Sequence, residues 1–342
     1  MAKRRRVLGI DLGSRLVKVV GARLIRGRVK LHHHLAVPVP EGWMQQGVPA
    51  SPQELGQLIQ AELAKARIRT TQAVASLSAQ SVAMRTATFP RLSDGELAKA
   101  VYWEIDQHLP IDRESAIIDH LVDETSSNSE TVEVFLCGTQ RRVVDQYIEA
   151  LVGAGLDPVA LEPDSLAIIR GLGHLGMLGT DQRPVAVLDL GYSTTKLGIY
   201  DRYLPQVSRS INIAGRTLEE ALRVELTPDQ AKEALYQQGL SGHSPIRSLV
   251  EPAINSLFAE VRRSLEFYLV KNADQQLAKV FLIGGYSGIP GLAFALRDHL
   301  RLYVGERLPD DFTVAPVTVK GSPIFVLALG LALREEADPW DA

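Results

Sequence analysis

Cysteine is almost missing from this chain, with Cys137 alone among 342 residues. That excludes an intramolecular disulfide and fits a reducing compartment. Long apolar runs are missing too. The most apolar stretch, Pro323 to Leu333, is eleven residues, whereas a membrane-spanning helix needs about 18 or more. The basic start, Lys3 to Arg6, leads into a short strand pattern instead of a continuous apolar region, so it does not read as a signal peptide. Nor is there an excess of one charge: 37 basic against 40 acidic residues give a formal net charge of -3. No global basic field exists to recruit nucleic acid. The expectation is a soluble, cytoplasmic protein, long enough to divide into about two domains.

What is present is a repeated motif. Val7 to Val20, VLGIDLGSRLVKVV, returns 178 residues later as VAVLDLGYSTTKLG, from Val185 to Gly198. Each copy reads as strand, glycine turn, strand. Gly13 and Gly191 let the backbone approach a ligand closely, and amide groups pointing into such a bend form an anion-binding concavity. Phosphate oxygens suit it. Ser14 in the first copy and Ser193, Thr194 and Thr195 in the second add hydroxyl donors. Asp11 and Asp189, at the strand ends, are candidates to hold a hydrated Mg2+, which takes only one or two protein carboxylates. Lys18 and Lys196 are placed to neutralise charge. One such turn is an ordinary hairpin; two in register point to a phosphate clamp.

A third element runs from the apolar strand Val280 to Ile283 into Gly284, Gly285, Tyr286, Ser287 and Gly288, with Pro290 expected to open a helix through Leu300. A glycine turn feeding a helix start presents free N–H groups and a positive dipole end. Gly284, Gly285 and Ser287 join the candidate nucleotide contacts.

The order hairpin, hairpin, Gly-Gly turn resembles the superfamily of actin, chaperone ATPases and sugar kinases. Within it the chain resembles the PilM family of type IV pilus assembly proteins, which is similar in architecture to the division protein FtsA. The likeness rests on IDLGSRLVKVV, WEIDQHLPID, AGLDPVALEPDSLAIIRGL, RSINIAGRTLEEAL, RRSLEFYL and GGYSGIPGL, and so covers nearly the whole sequence. It implies an α/β fold: two actin-like (ribonuclease H-like) ATPase lobes with an FtsA-type α+β insertion in the first. The implied division is residues 1–72 plus 156–184 for the first lobe, with a C-terminal helix 323–336 returning to it. The insertion is then 73–155 and the second lobe 185–322. The cofactors implied are ATP and Mg2+. The partner implied is the cytoplasmic N-terminal peptide of a PilN-type inner-membrane protein, received in a groove beside the insertion. The chain would thus act with other pilus assembly components, peripheral to the inner face of the cytoplasmic membrane.

Further roles follow from the resemblance. Gly215, in IAGRT, stands where relatives often carry Gly-Gly toward the nucleotide. Lys232 and Glu233 lie on a helix expected to face ribose and base, although adjacent residues diverge on a helix. Glu162, followed by Pro163 as in the chaperone ATPases, is a candidate to position an attacking water, with ATP turnover weak or absent.

The remaining segments read plainly. Within 73–155 the pattern is strand (73–78), strand (82–89), helix (94–108), strand (115–124), a polar turn (126–129), strand (131–138) and helix (142–154). Thr227 caps a helix opened by Pro228 and stopped at Gly239, and Pro252 to Val270 has the apolar spacing of a long core helix. His32, His33 and His34 alternate faces on a strand and cannot converge on one metal. The tail Lys3 to Arg6 is either solvated or a weak contact for anionic lipid. The rival functions are a slow filament-forming ATPase, a small-molecule kinase, for which no carboxylate-rich substrate pocket is evident, and a secretion platform protein, whose usual transmembrane segment is missing.

Overall fold

A computed structural model describes residues 6–123, 130–178, 182–201, 203–241, 244–304, 313–316, 319 and 322–334. The polar turn at 126–129 and residues 3–5 of the basic tail lie outside the described residues.

The first hairpin forms as its sequence suggests: β1 (Leu8–Leu12) and β2 (Leu16–Ile25) flank a turn closed by the Gly13 amide donating to the Leu16 carbonyl. The chain continues through β3 (Arg28–Pro38), the short strands β4 (Met44–Gln45) and β5 (Val48–Pro49), α1 (Pro52–Lys65) and β6 (Gln72–Leu77). There follow β7 (Val82–Pro90), α2 (Asp94–His108), β8 (Ala116–Asp123), β9 (Thr131–Gln140), α3 (Arg141–Gly153), β10 (Asp157–Pro163) and α4 (Asp164–His174). The second half holds β11 (Val185–Leu190), β12 (Thr195–Asp201), β13 (Leu204–Ile211), α5 (Gly215–Leu222), α6 (Pro228–Gln237), α7 (Arg247–Lys271), β14 (Lys279–Ile283), α8 (Leu292–Val304) and β15 (Thr313–Pro316). A 3-10 turn at Pro323–Phe325 then leads into α9 (Val326–Ala332).

The two large sheets repeat one topology. Their strand orders are β10-β6-β1-β2-β3 and β13-β12-β11-β14-β15. In each, an antiparallel meander adjoins parallel strands on the other side of its first member. The registers match as well: Asp11 pairs across its hairpin with Lys18, and Asp189 with Lys196. The sequence repeat is therefore a repeat of fold, and it fixes which side chains reach the strand ends.

α4 and α9 lie between the sheets. Ile169, Leu172, Leu327 and Leu331 share one apolar cluster with Val20 and Val74 of the first sheet and Val187 and Phe281 of the second. α9 thus returns to the first lobe, where Gly9 packs so tightly on it that a Cβ would strike the Ala328 carbonyl. The helix caps agree with the sequence: Thr227 accepts from the Gln230 amide, Gln230 reaches back, and Gly239 has φ +54°.

Several expectations are corrected. The strand at 73–78 does not belong to the insertion, because β6 pairs in parallel with β1 and β10 at the centre of the first sheet. α3 does not belong to it either. Val143, Val144 and Tyr147 share a core with Leu55 and Ile59 of α1. What remains inserted is the three-stranded sheet β7-β9-β8 with α2, within 82–140, built on its own apolar cluster around Phe89, Ile105 and Leu136. Pro290 does not open a helix, since Gly291 has φ +81° and α8 starts only at Leu292. α7 begins a turn before Pro252, at Arg247. Along β3, His32 and His34 are exposed and His33 half-buried, which is the expected alternation.

Candidate functional site

Both hairpin turns and the Gly-Gly loop line one cleft of about 520 Å³ between the lobes. Asp11, Gly13, Ser14 and Lys18 face it from the first lobe. Asp189, Gly191, Ser193, Thr194, Lys232, Gly284 and Gly285 face it from the second. The turns meet tip to tip, the Ser193 hydroxyl donating to the Ser14 oxygen at 2.8 Å. Gly284 is required twice over: its φ is +87°, and a Cβ there would run into the Asp189 carboxylate.

The floor of the cleft is a charge cluster. Lys18 Nζ donates to Asp11 Oδ2 at 2.7 Å, and Lys196 Nζ lies 2.6 Å from Asp164 Oδ2. Asp164 also accepts from the Ala79 amide at 3.1 Å. Burial pushes the Asp189 carboxyl above its usual range; Lys196 and Lys18 pull against that shift, whereas Asp11 and Asp164 add to it. Burial weighs against the Lys196 ammonium, yet the surrounding carboxylates Asp164, Asp189 and Asp11 hold its pKa above the usual lysine value. Asp11, Asp189, Lys18 and Lys196 line the cleft itself, and Asp164 joins the cluster from behind through Lys196.

Some expected contacts lie elsewhere. Thr195 is fully buried and donates to the Ile213 carbonyl at 2.7 Å, so it holds β12 to the loop after β13. A Cβ on Gly215 would collide with the Tyr286 ring; this glycine admits the tyrosine and does not face the cleft. Glu233 accepts from Gln237 Nε2 at 2.7 Å on the outer side of α6, which leaves Lys232 as the member of that pair facing inward. The Ser287 hydroxyl is buried and donates to the Gly284 carbonyl at 2.8 Å. The Gly-Gly loop also bonds inward, through the Gly284 amide to the Pro323 carbonyl and the Tyr286 amide to the Leu190 carbonyl.

Glu162 is likewise corrected. Its carboxylate takes Arg170 NH1 at 2.6 Å and NH2 at 3.2 Å, with Arg334 Nε at 3.3 Å, and it does not line the cleft. A carboxylate committed to two guanidinium groups has no means of positioning water there. The acidic residue that reaches the charge cluster is Asp164, two positions on. Sequence reasoning also passed over Arg15, Tyr192, Glu219 and Tyr286, which pack together across the cleft. GGYSG displays Tyr286, but no spacing rule ties it to Glu219, 67 positions away.

A second cavity, of about 930 Å³, lies between the inserted sheet and the first lobe. β8 is the outer strand of its sheet and β10 the outer strand of the first sheet, and both line this groove. Leu121, Phe135, Cys137, Val144, Ile148 and Leu161 supply apolar lining, while Asp119 and Asp123 lie along one wall and Arg170 and Arg334 along another. Leu121 stays 52% exposed, a large apolar side chain left facing the groove.

Two lobes of one topology, joined by paired helices and closed over a cleft of hairpin turns, define an actin-like protein. A sequence model of the type IV pilus assembly protein PilM family matches residues 9–336, and the chain belongs to that family. Among solved structures it is similar to a chain of a PilM-PilN type IV pilus biogenesis complex, at 27% identity and TM-score 0.83, covering 97% of this chain and 99% of that one. The ethanolamine utilization protein EutJ from Carboxydothermus hydrogenoformans aligns at 17% identity and TM-score 0.58, over 97% and 90% of the two chains. MreB5 of Spiroplasma citri bound to AMPPNP aligns at 13% identity and TM-score 0.55, over 96% and 95%. The last two show the fold alone. Family membership over nearly the whole chain does not favour a kinase or a filament-forming ATPase. Among the described residues no helix is long and apolar enough to cross a membrane.

Proposed function

We propose that this chain is a cytoplasmic, ATP-binding scaffold of type IV pilus assembly that captures the N-terminal peptide of a PilN-type inner-membrane protein and is held by it at the membrane. The observation carrying this reading is the groove between β8 and β10. An extended peptide can pair with an unpartnered strand edge and place alternate side chains in apolar lining. A groove bounded by two such edges suits a chain tail better than a small molecule. The nucleotide part rests on the cleft: the turns would surround the phosphates, and Asp11 and Asp189 would hold Mg2+ with phosphate and water completing its shell. Among the described residues no group of three or more histidine, cysteine or acidic side chains forms a metal cage, in keeping with an ion carried mainly by the nucleotide. The ion would supply charge neutralisation there. ATP acts as a structural and switching ligand that holds the lobes together.

The test is fluorescence anisotropy with a labelled PilN-type N-terminal peptide and nucleotide-loaded protein. Saturable binding that weakens at least tenfold in Leu121→Asp is expected. A peptide that fails to bind the unsubstituted chain would remove the main content of the assignment.

A further inference from the structure

At the mouth of the cleft one residue of the first lobe is gripped by three of the second. Arg15, at the tip of the β1–β2 turn, donates through NH1 to both carboxylate oxygens of Glu219, each at 2.7 Å, and to the Tyr286 hydroxyl at 3.1 Å. Its guanidinium lies over the Tyr192 ring, 4.7 Å from the centroid. Tyr286 donates in turn to Glu219. Glu219 is fully buried and Tyr286 nearly so, whereas the Arg15 side chain keeps 29% of its surface in solvent. Arg15, Tyr192 and Tyr286 all line the cleft.

We propose that Arg15 is an interlobe clasp: its pairing with Glu219 holds the cleft shut in the absence of ligand and gates entry and exit of the nucleotide. A buried carboxylate must keep a cationic partner or become strongly unfavourable, so Glu219 retains Arg15 and, through it, the opposite lobe. The guanidinium also adds a stacking contact that neutral side chains lack. A ligand entering between the turns must first separate these groups, and one leaving must do so again. The clasp therefore slows both directions, with a smaller effect on equilibrium affinity. Only the nucleotide arm of the test rests on the function proposed above.

The experiment compares the full chain with Arg15→Met, which keeps the apolar stem and drops the charge, and Glu219→Gln, which keeps the shape. Without nucleotide, hydrogen–deuterium exchange at the turns 12–16 and 190–194 is expected to rise at least tenfold in Arg15→Met. In stopped flow with a fluorescent ATP analogue, association and dissociation are both expected to quicken several-fold. Unchanged turn exchange in both variants overturns the clasp. So does loss of analogue binding in Arg15→Met with exchange unchanged, which would make Arg15 a nucleotide contact. If the unsubstituted chain binds no analogue, the nucleotide reading fails while the exchange arm still decides the clasp. Glu219→Gln serves as the second arm because Arg15 can still donate to its amide oxygen in a folded chain.

Discussion

Gly171 of α4 and Gly330 of α9 stand back to back where the two connecting helices cross. A Cβ on Gly171 would lie 2.6 Å from the Val326 carbonyl oxygen and 3.5 Å from the Gly330 Cα, and one on Gly330 would run into the Ala167 carbonyl. The two connecting helices therefore meet backbone to backbone, with nothing flexible between them to yield.

Gly330→Ala should then spread the crossing. Overpacking a well-filled core costs about 1–3 kcal/mol, and a backbone obstacle puts this substitution toward the upper end. Urea unfolding measures it, and an unchanged midpoint would refute the close crossing.

Asp11→Ala and Asp189→Ala should each abolish ATP-Mg2+ binding in calorimetry; undiminished affinity in both would sink the clamp. Asp189 carries a separate pH signature. Its folded pKa is raised by burial, so from the ordinary carboxylate value of about 4 upward the folded chain holds a proton that the unfolded chain has released. Stability attributable to this group accordingly falls as pH rises through that window. Asp189→Asn should flatten the slope in denaturant titrations run upward from about pH 4.

Glu162→Gln separates structure from chemistry. The substitution leaves Arg170, buried and also donating to the Gly330 carbonyl at 3.3 Å, without its carboxylate. Breaking a buried pair in this way costs about 3–5 kcal/mol. Thermal unfolding should register that loss, while ATP affinity of the folded protein stays as it was. A variant of normal stability that lost nucleotide binding or turnover would return Glu162 to the cleft.

Cys137 reports on the groove. Burial, helped by the Asp119 carboxylate, pushes its thiol up to about 11, so at pH 8 only on the order of one thiol in a thousand is the reactive thiolate. A disulfide reagent such as DTNB should modify the native chain at least about a hundredfold more slowly than the urea-unfolded chain. Bound peptide should slow it further, since Cys137 lines the groove. Equal rates with and without saturating peptide would place the peptide elsewhere.

The legible parts of the site were those encoded locally. Asp11, Gly13 and Lys18 belong to one hairpin, where a turn glycine and strand pairing dictate geometry over a few residues, and the second copy repeats it. The helix cap at Thr227 is equally short-range. Glu162 misled because Glu-Pro marks the entry to α4 without saying which neighbouring carboxylate turns inward. β10 carries Glu162 toward Arg170 and Arg334, and the helix start carries Asp164 toward Lys196. The strand at 73–78 misled because its apolar run fits a central strand of either sheet. Its partners, β1 and β10, are remote in sequence.

The amino-acid order by itself determined the doubled Asp-Leu-Gly hairpin of the clamp, because turn chemistry and apolar periodicity act over a handful of residues, while the two-lobed architecture came from the family resemblance. Tertiary structure alone decided what closes that clamp. Arg15 meets Glu219 across 204 positions, and Gly171 meets Gly330 only because two sheets bury their faces against the same pair of helices. Such contacts depend on how whole layers stack, and no local propensity carries that information.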